Sequence, residues 1–382
     1  MRIALPDPRV EIRGAAWLEE TPSGVLPHRL PAWVRPQLPD DFMAMVESQP
    51  SGVRLRLRTA ARSARLDVQV HRVAVDPAPP GPGQPYDVLV DGVSVPQAEG
   101  IASQAGVIAL DPIAGTVIER PGPPGVVDLA LGGDGTVERD VEIWLPPGET
   151  TRLVALTTDA PVSAPGAVDA PRWVHHGSSI SHGAGAASAL GAWPVVAARI
   201  AGLDLVNLGF SGNAVLDPFV ARAIRDQPAD LITLKLGINV VNHDALHLRA
   251  FAPAVHGFLD TIRDGHPTTP LVLVSPLLCP LVETTPGPTS LDPADPTVFR
   301  TTGHPSEVAD GKLTLTEIRP VLRAVVDARA DSALTYVDGT TLYGWSDSDD
   351  LPMRDLMHPD ADAHRLIGTR FAAVVRRLVN PV

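Results

Sequence analysis

The chain has 382 residues, room for one very large domain or two ordinary ones at roughly 150 residues each. Hydrophobic residues make up 44% and charged residues 20%, enough apolar surface to bury a core, which excludes a disordered chain. A formal charge of −13 repels phosphate backbones and anionic bilayers, so neither nucleic acid nor membrane is expected as a partner. Aromatic residues are only 4%, so the core must be built from Val, Leu, Ile and Ala. Positive charge is almost all arginine, with Lys235 and Lys312 the two lysines. A single cysteine, Cys279, cannot close an internal disulfide, which fits a reducing compartment. The residues from Met1 to Pro8 lack the apolar core of a secretion signal. No apolar run approaches the ~20 residues of a membrane helix, and a cytoplasmic protein is the expectation.

In chain order, the first part reads as β. Apolar and charged residues alternate from Val53 to Arg58, the period of a strand with one wet face, and again from Arg65 to Val73. The stretch Tyr86–Val95 carries a hairpin signal at Asp91 and Gly92 between two apolar runs. Further runs follow at Val137–Leu145 and Thr151–Leu156, with Pro- and Gly-rich turn clusters at Asp76–Gly83 and Arg120–Gly125 between strands. Many short strands with regular turn signals predict an all-β sandwich or jelly roll over residues 1–165, a unit that resembles a carbohydrate-binding module. Trp17, Trp33 and Trp144 within it read as core packing before they read as a sugar-stacking face.

The small, proline-punctuated stretch Asp159–Pro171 is the expected boundary. After it, short apolar runs at Trp173–His176, Leu203–Leu208, Leu231–Leu236, Leu271–Ser275 and Leu334–Val337 have the length of buried strands. They alternate with helical patterns at Ala192–Ala201, Asp217–Asp226, Leu248–Asp264, Thr314–Ala330 and Asp360–Val379. Thr314 and Glu317 have capping-box spacing. Strands alternating with helices predict a mostly parallel sheet with helices on both faces, a three-layer α/β domain over 171–382. Asp292–Gly311 lacks either period, so a long loop acting as a lid or binding loop is expected there.

In open parallel sheets ligands bind beyond the carboxyl ends of the strands. The first predicted strand is followed by Gly177, Ser178, Ser179, Ile180, Ser181 and His182. The second is followed by Ser211 and Gly212, and the third by Gly237 and Asn239. Asp355 and His358 stand just before the last helix. That set is sufficient for acyl transfer. A serine needs a base to take its proton, and His358 can serve with Asp355 orienting it. An oxyanion needs preorganised donors, and the nucleophile's own N–H, the Gly212 N–H and the Asn239 amide supply three. Taken singly, each residue has an ordinary reading: a serine as helix cap, a glycine as tight bend, Asn239 as turn residue and Asp355 as surface charge. Their joint placement at strand ends outweighs those readings. Gly183 and Gly185 approach a dinucleotide fingerprint, but Ser188 stands where its third glycine belongs. His175, His176 and His182 have no metal-site spacing and read as structural or substrate-contacting.

The four segments, in this order, resemble the four blocks of the GDSL or SGNH family of serine esterases and acyltransferases, from about residue 173 onward. The resemblance places the nucleophile at Ser179 rather than Ser178. Gly212 and Asn239 match the oxyanion-hole blocks, and Asp355 with His358 matches the terminal Asp-x-x-His. Ser178 and Val240 depart from it, since aspartates are usual at both places. The resemblance implies a flavodoxin-like catalytic domain forming an acyl-enzyme, with no metal or cofactor. It implies as partners a small-molecule acyl donor, an ester or acyl-CoA, and a hydroxyl acceptor. A β-sandwich in front of such a domain is similar to an arrangement in some carbohydrate esterases. It is also similar to that of an actinomycete acyltransferase type that places salicylyl groups on tetracycline-type polyketides. The expectation is therefore an acyltransferase, with a carbohydrate-type ester hydrolase as the alternative.

Overall fold

Alternating sequence becomes paired strand in the first part of the chain. The computed structural model describes residues 1–75, 79–100, 105–111 and 116–379, so residues 76–78 of the first turn cluster lie outside the described residues. The chain divides into two units, Met1–Asp169 with Ser188–Leu190, and Ala170–Ala187 with Gly191–Val382. In the first unit one sheet is centred on Arg54–Thr59 and Arg139–Trp144, and a larger one on Ser63–Val75 and Glu149–Thr158. Leu55, Leu57, Val141 and Ile143 of the smaller sheet share one apolar core with Leu66, Val68, Leu153 and Leu156 of the larger, which makes the pair a sandwich. Among the described residues strand pairing in this unit is antiparallel except where Ser63–Val75 meets Gly106–Asp111. At the hairpin, Asp91 (φ 49°) and Gly92 (φ 77°) are both left-handed, as a two-residue turn of this hand requires.

Two features of this unit escaped the alternation pattern. A helix spans Asp41–Ser48, its start capped by the Asp40 carboxylate, which accepts the Met43 N–H at 2.7 Å. The core packing expected of the three tryptophans holds for Trp144 and not for Trp33. Trp144 is buried under the Arg54 guanidinium at 4.6 Å, Trp17 stacks on His28 at 4.5 Å, and Trp33 is exposed.

The second unit has the mostly parallel sheet that the periods predict, here parallel throughout. Its five strands are Arg172–Gly177, Asp204–Gly209, Leu231–Lys235, Leu271–Val274 and Leu334–Val337, called first to fifth below. They lie side by side in the order second, first, third, fourth, fifth. The second, third and fourth are buried along their whole length, as strands covered on both faces must be. The period of two sorts the first strand's rings to opposite faces. Trp173 meets Trp193 and Phe371 on one side, while His176 stacks on Phe258 on the other. Five long helical patterns fold as helices, at Trp193–Ala201, Pro218–Arg225, Leu248–Gly265, Leu315–Ala328 and Ala361–Val379.

Two expectations for this unit are corrected. Thr314 makes no cap bond to the backbone, because its hydroxyl donates to the Glu317 carboxylate instead. Asp292–Gly311 is not structureless. Thr289–Leu291 and Phe299–Thr301 pair as an antiparallel ribbon, and Pro305–Asp310 forms a 3-10 turn capped by His304. Strands of three residues are too short to show a period. Among the described residues no helix is long and apolar enough to cross a membrane.

One buried carboxylate sets a pH dependence on the sandwich. Glu149 is 2% exposed; one of its oxygens accepts the Gln84 N–H at 2.7 Å, the other has no hydrogen-bond partner among the described residues, and the charge of Arg72 offsets its burial only in part. Burial pushes its pKa from 4.5 up to about 7. Below the unfolded value both states hold the proton and nothing is lost. As pH rises from there to the folded value, the unfolded chain ionises first and the folded state loses stability. Glu149→Gln should therefore raise the thermal midpoint by several degrees at about pH 8 and leave it unchanged at about pH 4. An equal gain at both pH values would assign the effect to packing instead.

Candidate active site

The sheet order reverses direction between the first and third strands, and in open parallel sheets the carboxyl ends at such a switch point are where ligands bind. The first strand ends at Gly177 and turns through Ser178 into a short helix, Ser179–His182. Ser179 is thus the first residue of that helix, where the N–H has no partner within the helix. Its Oγ lies 2.9 Å from His358 Nε2, and His358 Nδ1 lies 2.6 Å from Asp355 Oδ2. The other carboxylate oxygen of Asp355 accepts the N–H groups of His358 at 2.7 Å and Met357 at 2.9 Å. Burial alone would raise the Asp355 pKa, but the hydrogen bonds from His358 and Met357 hold it below the usual carboxylate range. Asp355 is therefore ionised at neutral pH, and with its oxygen at Nδ1 the proton of a neutral His358 sits there. Nε2 then faces Ser179 as an acceptor.

Three candidate donors follow the ends of the first three strands. Gly212 follows the second strand with φ 70°, a left-handed conformation that glycine adopts without strain. Asn239 follows the third strand, and its Oδ1 accepts the Ala214 N–H at 3.1 Å, so Nδ2 is the free end of the amide. His243 Nε2 donates to the Gly212 carbonyl at 2.7 Å, tying the Gly212 turn to the helix that carries Asn239. Among the described residues the N–H of Ser179, the N–H of Gly212 and Nδ2 of Asn239 have no acceptor. All five sequence-predicted site residues belong to the same unit.

The comparisons bear on this geometry. Residues 171–278 match the model of the GDSL-like lipase/acylhydrolase family. The chain is an enzyme of the GDSL/SGNH type, an acyltransferase or esterase. No curated protein matches it. Among solved structures, it is similar to the salicylyl-acyltransferase SsfX3 from a tetracycline biosynthetic pathway. The identity is 28% over 98% of this chain and 97% of that one, with a TM-score of 0.79. A protein named as a GDSL-like lipase from Bacteroides ovatus shares 15% identity over 99% and 97%, with a TM-score of 0.69. A family two carbohydrate esterase from Clostridium thermocellum shares 12% over 97% and 98%, with a TM-score of 0.60. These last two likenesses are of fold.

Several neighbours of this GDSL-type site were not legible in the sequence. Phe299 sets its ring edge-on to His358 at 5.6 Å, and its N–H donates to the Asp355 carbonyl at 2.9 Å. Leu356, between Asp355 and His358, has φ 68°, and its carbonyl accepts from Cys279 Sγ at 3.5 Å. Gly185 (φ 88°) packs so closely that a Cβ there would lie 2.0 Å from the Pro359 carbonyl oxygen. Gly185, one of the two glycines that approach a dinucleotide pattern, therefore lets the loop after His358 come close. His175 is buried, with Nδ1 2.6 Å from Thr233 Oγ1 and Nε2 2.9 Å from Ser181 Oγ, and His176 Nδ1 donates to the Leu208 carbonyl at 2.7 Å. No cluster of metal-ligating side chains occurs among the described residues. The edge-on ring restrains the imidazole. Phe299→Ala should lower kcat/KM roughly three- to tenfold with the thermal midpoint held, read by steady-state kinetics on an aryl ester. An unchanged rate would remove Phe299 from the site.

Proposed function

We propose that this enzyme transfers acyl groups through an acyl-enzyme on Ser179, with residues 171–382 carrying the whole reaction. His358 Nε2 takes the hydroxyl proton as Oγ attacks the donor carbonyl, then returns it to the leaving group. Asp355 holds the ring and stabilises the imidazolium. The N–H of Ser179, the N–H of Gly212 and Nδ2 of Asn239 receive the oxyanion. The observation that carries this reading is the unbroken chain Ser179–His358–Asp355, at 2.9 and 2.6 Å; the three strand-end donors, which have no acceptor among the described residues, support it.

The substrates follow from narrower support. The donor in this proposal is a coenzyme A thioester of an aryl acid of the salicylyl kind, and the acceptor is a hydroxyl of a small natural product such as a polyketide. Supporting it is the end-to-end similarity, at 28% identity, to a salicylyl-acyltransferase. A pocket of about 170 Å³, lined by Pro280, Leu281, Ser348, Pro352, Met353 and Leu356, adjoins the Asp355 loop. It is apolar but for one hydroxyl and of the size that admits a single aromatic ring. A single buried thiol, Cys279, fits a reducing compartment, and we place the reaction in the cytoplasm. The competing reading is a carbohydrate-ester hydrolase, since family two carbohydrate esterases share the fold over nearly the whole chain. Both readings begin with the same acylation. They part where water or an alcohol discharges the acyl-enzyme.

Ser179→Ala and His358→Ala should each reduce turnover by roughly 10⁴-fold or more while the protein stays folded, and Asn239→Ala by roughly 10²–10³-fold. Activity retained in Ser179→Ala but lost in Ser178→Ala would move the nucleophile by one residue. Intact-protein mass spectrometry after loading with a salicylyl thioester separates the two chemistries. An adduct on Ser179 that persists in water and leaves on addition of a hydroxylated acceptor marks a transferase. An adduct that water discharges at once marks an esterase.

A further inference from the structure

In the unit that carries the site, the acyl-transfer scheme leaves a buried lysine unused. Lys235 ends the third strand, is 2% exposed, and donates a single hydrogen bond, to Ser178 Oγ at 3.2 Å. No carboxylate among the described residues pairs with it. Ser178 stands at the cap position of the helix that begins with Ser179, yet its hydroxyl makes no cap bond. That hydroxyl is turned to the ammonium instead. The titratable groups facing Lys235 are His175 from the first strand, His364 from the last helix and Cys279 from the segment after the fourth strand. Burial holds both imidazoles neutral, with His364 lowered to about 4, and pushes the Cys279 thiol up to about 12. None of them compensates the charge. An isolated buried ammonium destabilises a fold, and a methionine would fill the same space without that cost.

We propose that Lys235 is a positioning residue for acyl transfer: its ammonium holds the Ser178 hydroxyl and sets a positive charge behind the turn that presents Ser179, favouring the anionic tetrahedral state over the neutral ester. The proposal rests on Ser179 being the nucleophile. It also accounts for serine at position 178, where the GDSL pattern has aspartate. A carboxylate there would neutralise Lys235, whereas a hydroxyl anchors the ammonium and leaves its charge in place. Burial lowers the Lys235 pKa to about 8, so the charge is present at neutral pH and lost just above it.

The test is the pH profile of kcat/KM for p-nitrophenyl acetate between about pH 6 and pH 10. Wild type should fall about tenfold as pH passes through about 8. Lys235→Met should lack that descending limb and sit near the lower rate throughout. Ser178→Asp, which gives the ammonium a carboxylate partner, should move the limb upward by about one unit or more. Labelling by a fluorophosphonate, mapped by peptide mass spectrometry, runs alongside. If Lys235→Met keeps both the wild-type rate and the wild-type limb while Ser179 is labelled, the role of Lys235 is overturned and the nucleophile stands. Labelling of another residue instead of Ser179 overturns both. If Lys235→Met does not fold, Ser178→Asp decides alone, and a limb left in place there overturns the proposal.

Discussion

The hydrogen bond between His358 Nε2 and Ser179 Oγ joins residues 179 positions apart, and the chemistry depends on holding it. Neither residue could hold it alone. Ser179 is fixed by the first strand, which is buried and paired on both sides. His358 stands just ahead of the last helix, Ala361–Val379, and that helix packs on Trp193–Ala201 through Phe371, Trp193 and Trp173. His364 completes the connection. Its Nδ1 accepts the Trp193 N–H at 3.1 Å and its Nε2 donates to the Ala184 carbonyl at 2.8 Å, binding the last helix to the segment just after Ser179. Because burial keeps this ring neutral, one nitrogen can accept while the other donates. A low-polarity core therefore acts on the catalytic geometry directly, through the protonation state of a histidine outside the triad.

Electrostatics at the strand ends runs against the charge of the whole chain. The formal charge is −13, yet the interior beneath the nucleophile turn holds an ammonium and neutral imidazoles. Long-range repulsion is screened within about 8–10 Å at ordinary salt, whereas buried groups interact with little screening. The local pattern is therefore what a bound acyl group meets. Asp355 is the carboxylate that takes part, and its charge is spent on the imidazole and two backbone N–H groups.

The Asp-x-x-His loop shows how close contacts substitute for regular structure. It lies in neither strand nor helix, and Leu356 takes a left-handed conformation that costs a non-glycine residue roughly 1–2 kcal/mol. Its conformation persists because neighbours determine it from several sides: the Phe299 N–H on the Asp355 carbonyl, Cys279 on the Leu356 carbonyl, and Gly185 against Pro359. Such over-determined backbone is typical of sites where a side chain must be held in one direction.

By itself the sequence determined what is local. Alternation marked Arg54–Thr59 and Ser63–Val75, apolar runs marked the five parallel strands, and helical spacing marked the helices between them. Residue types at the strand ends, together with a family resemblance, singled out Ser179, Gly212, Asn239, Asp355 and His358. What the tertiary structure decided is which groups those residues meet. The hydroxyl of Ser178 turns to Lys235 rather than to a backbone cap because a strand two positions further along in sequence lies beside it in space. Phe299 reaches His358 from a ribbon whose three-residue strands are too short to carry a period. Thr314 bonds its neighbour Glu317 and not the helix backbone, a choice between two acceptors that spacing cannot rank. Periodicity records which face of an element is buried, and it holds no record of what lies opposite that face. That partner is set by the order of strands in the sheet, and sheet order is a property of the whole chain.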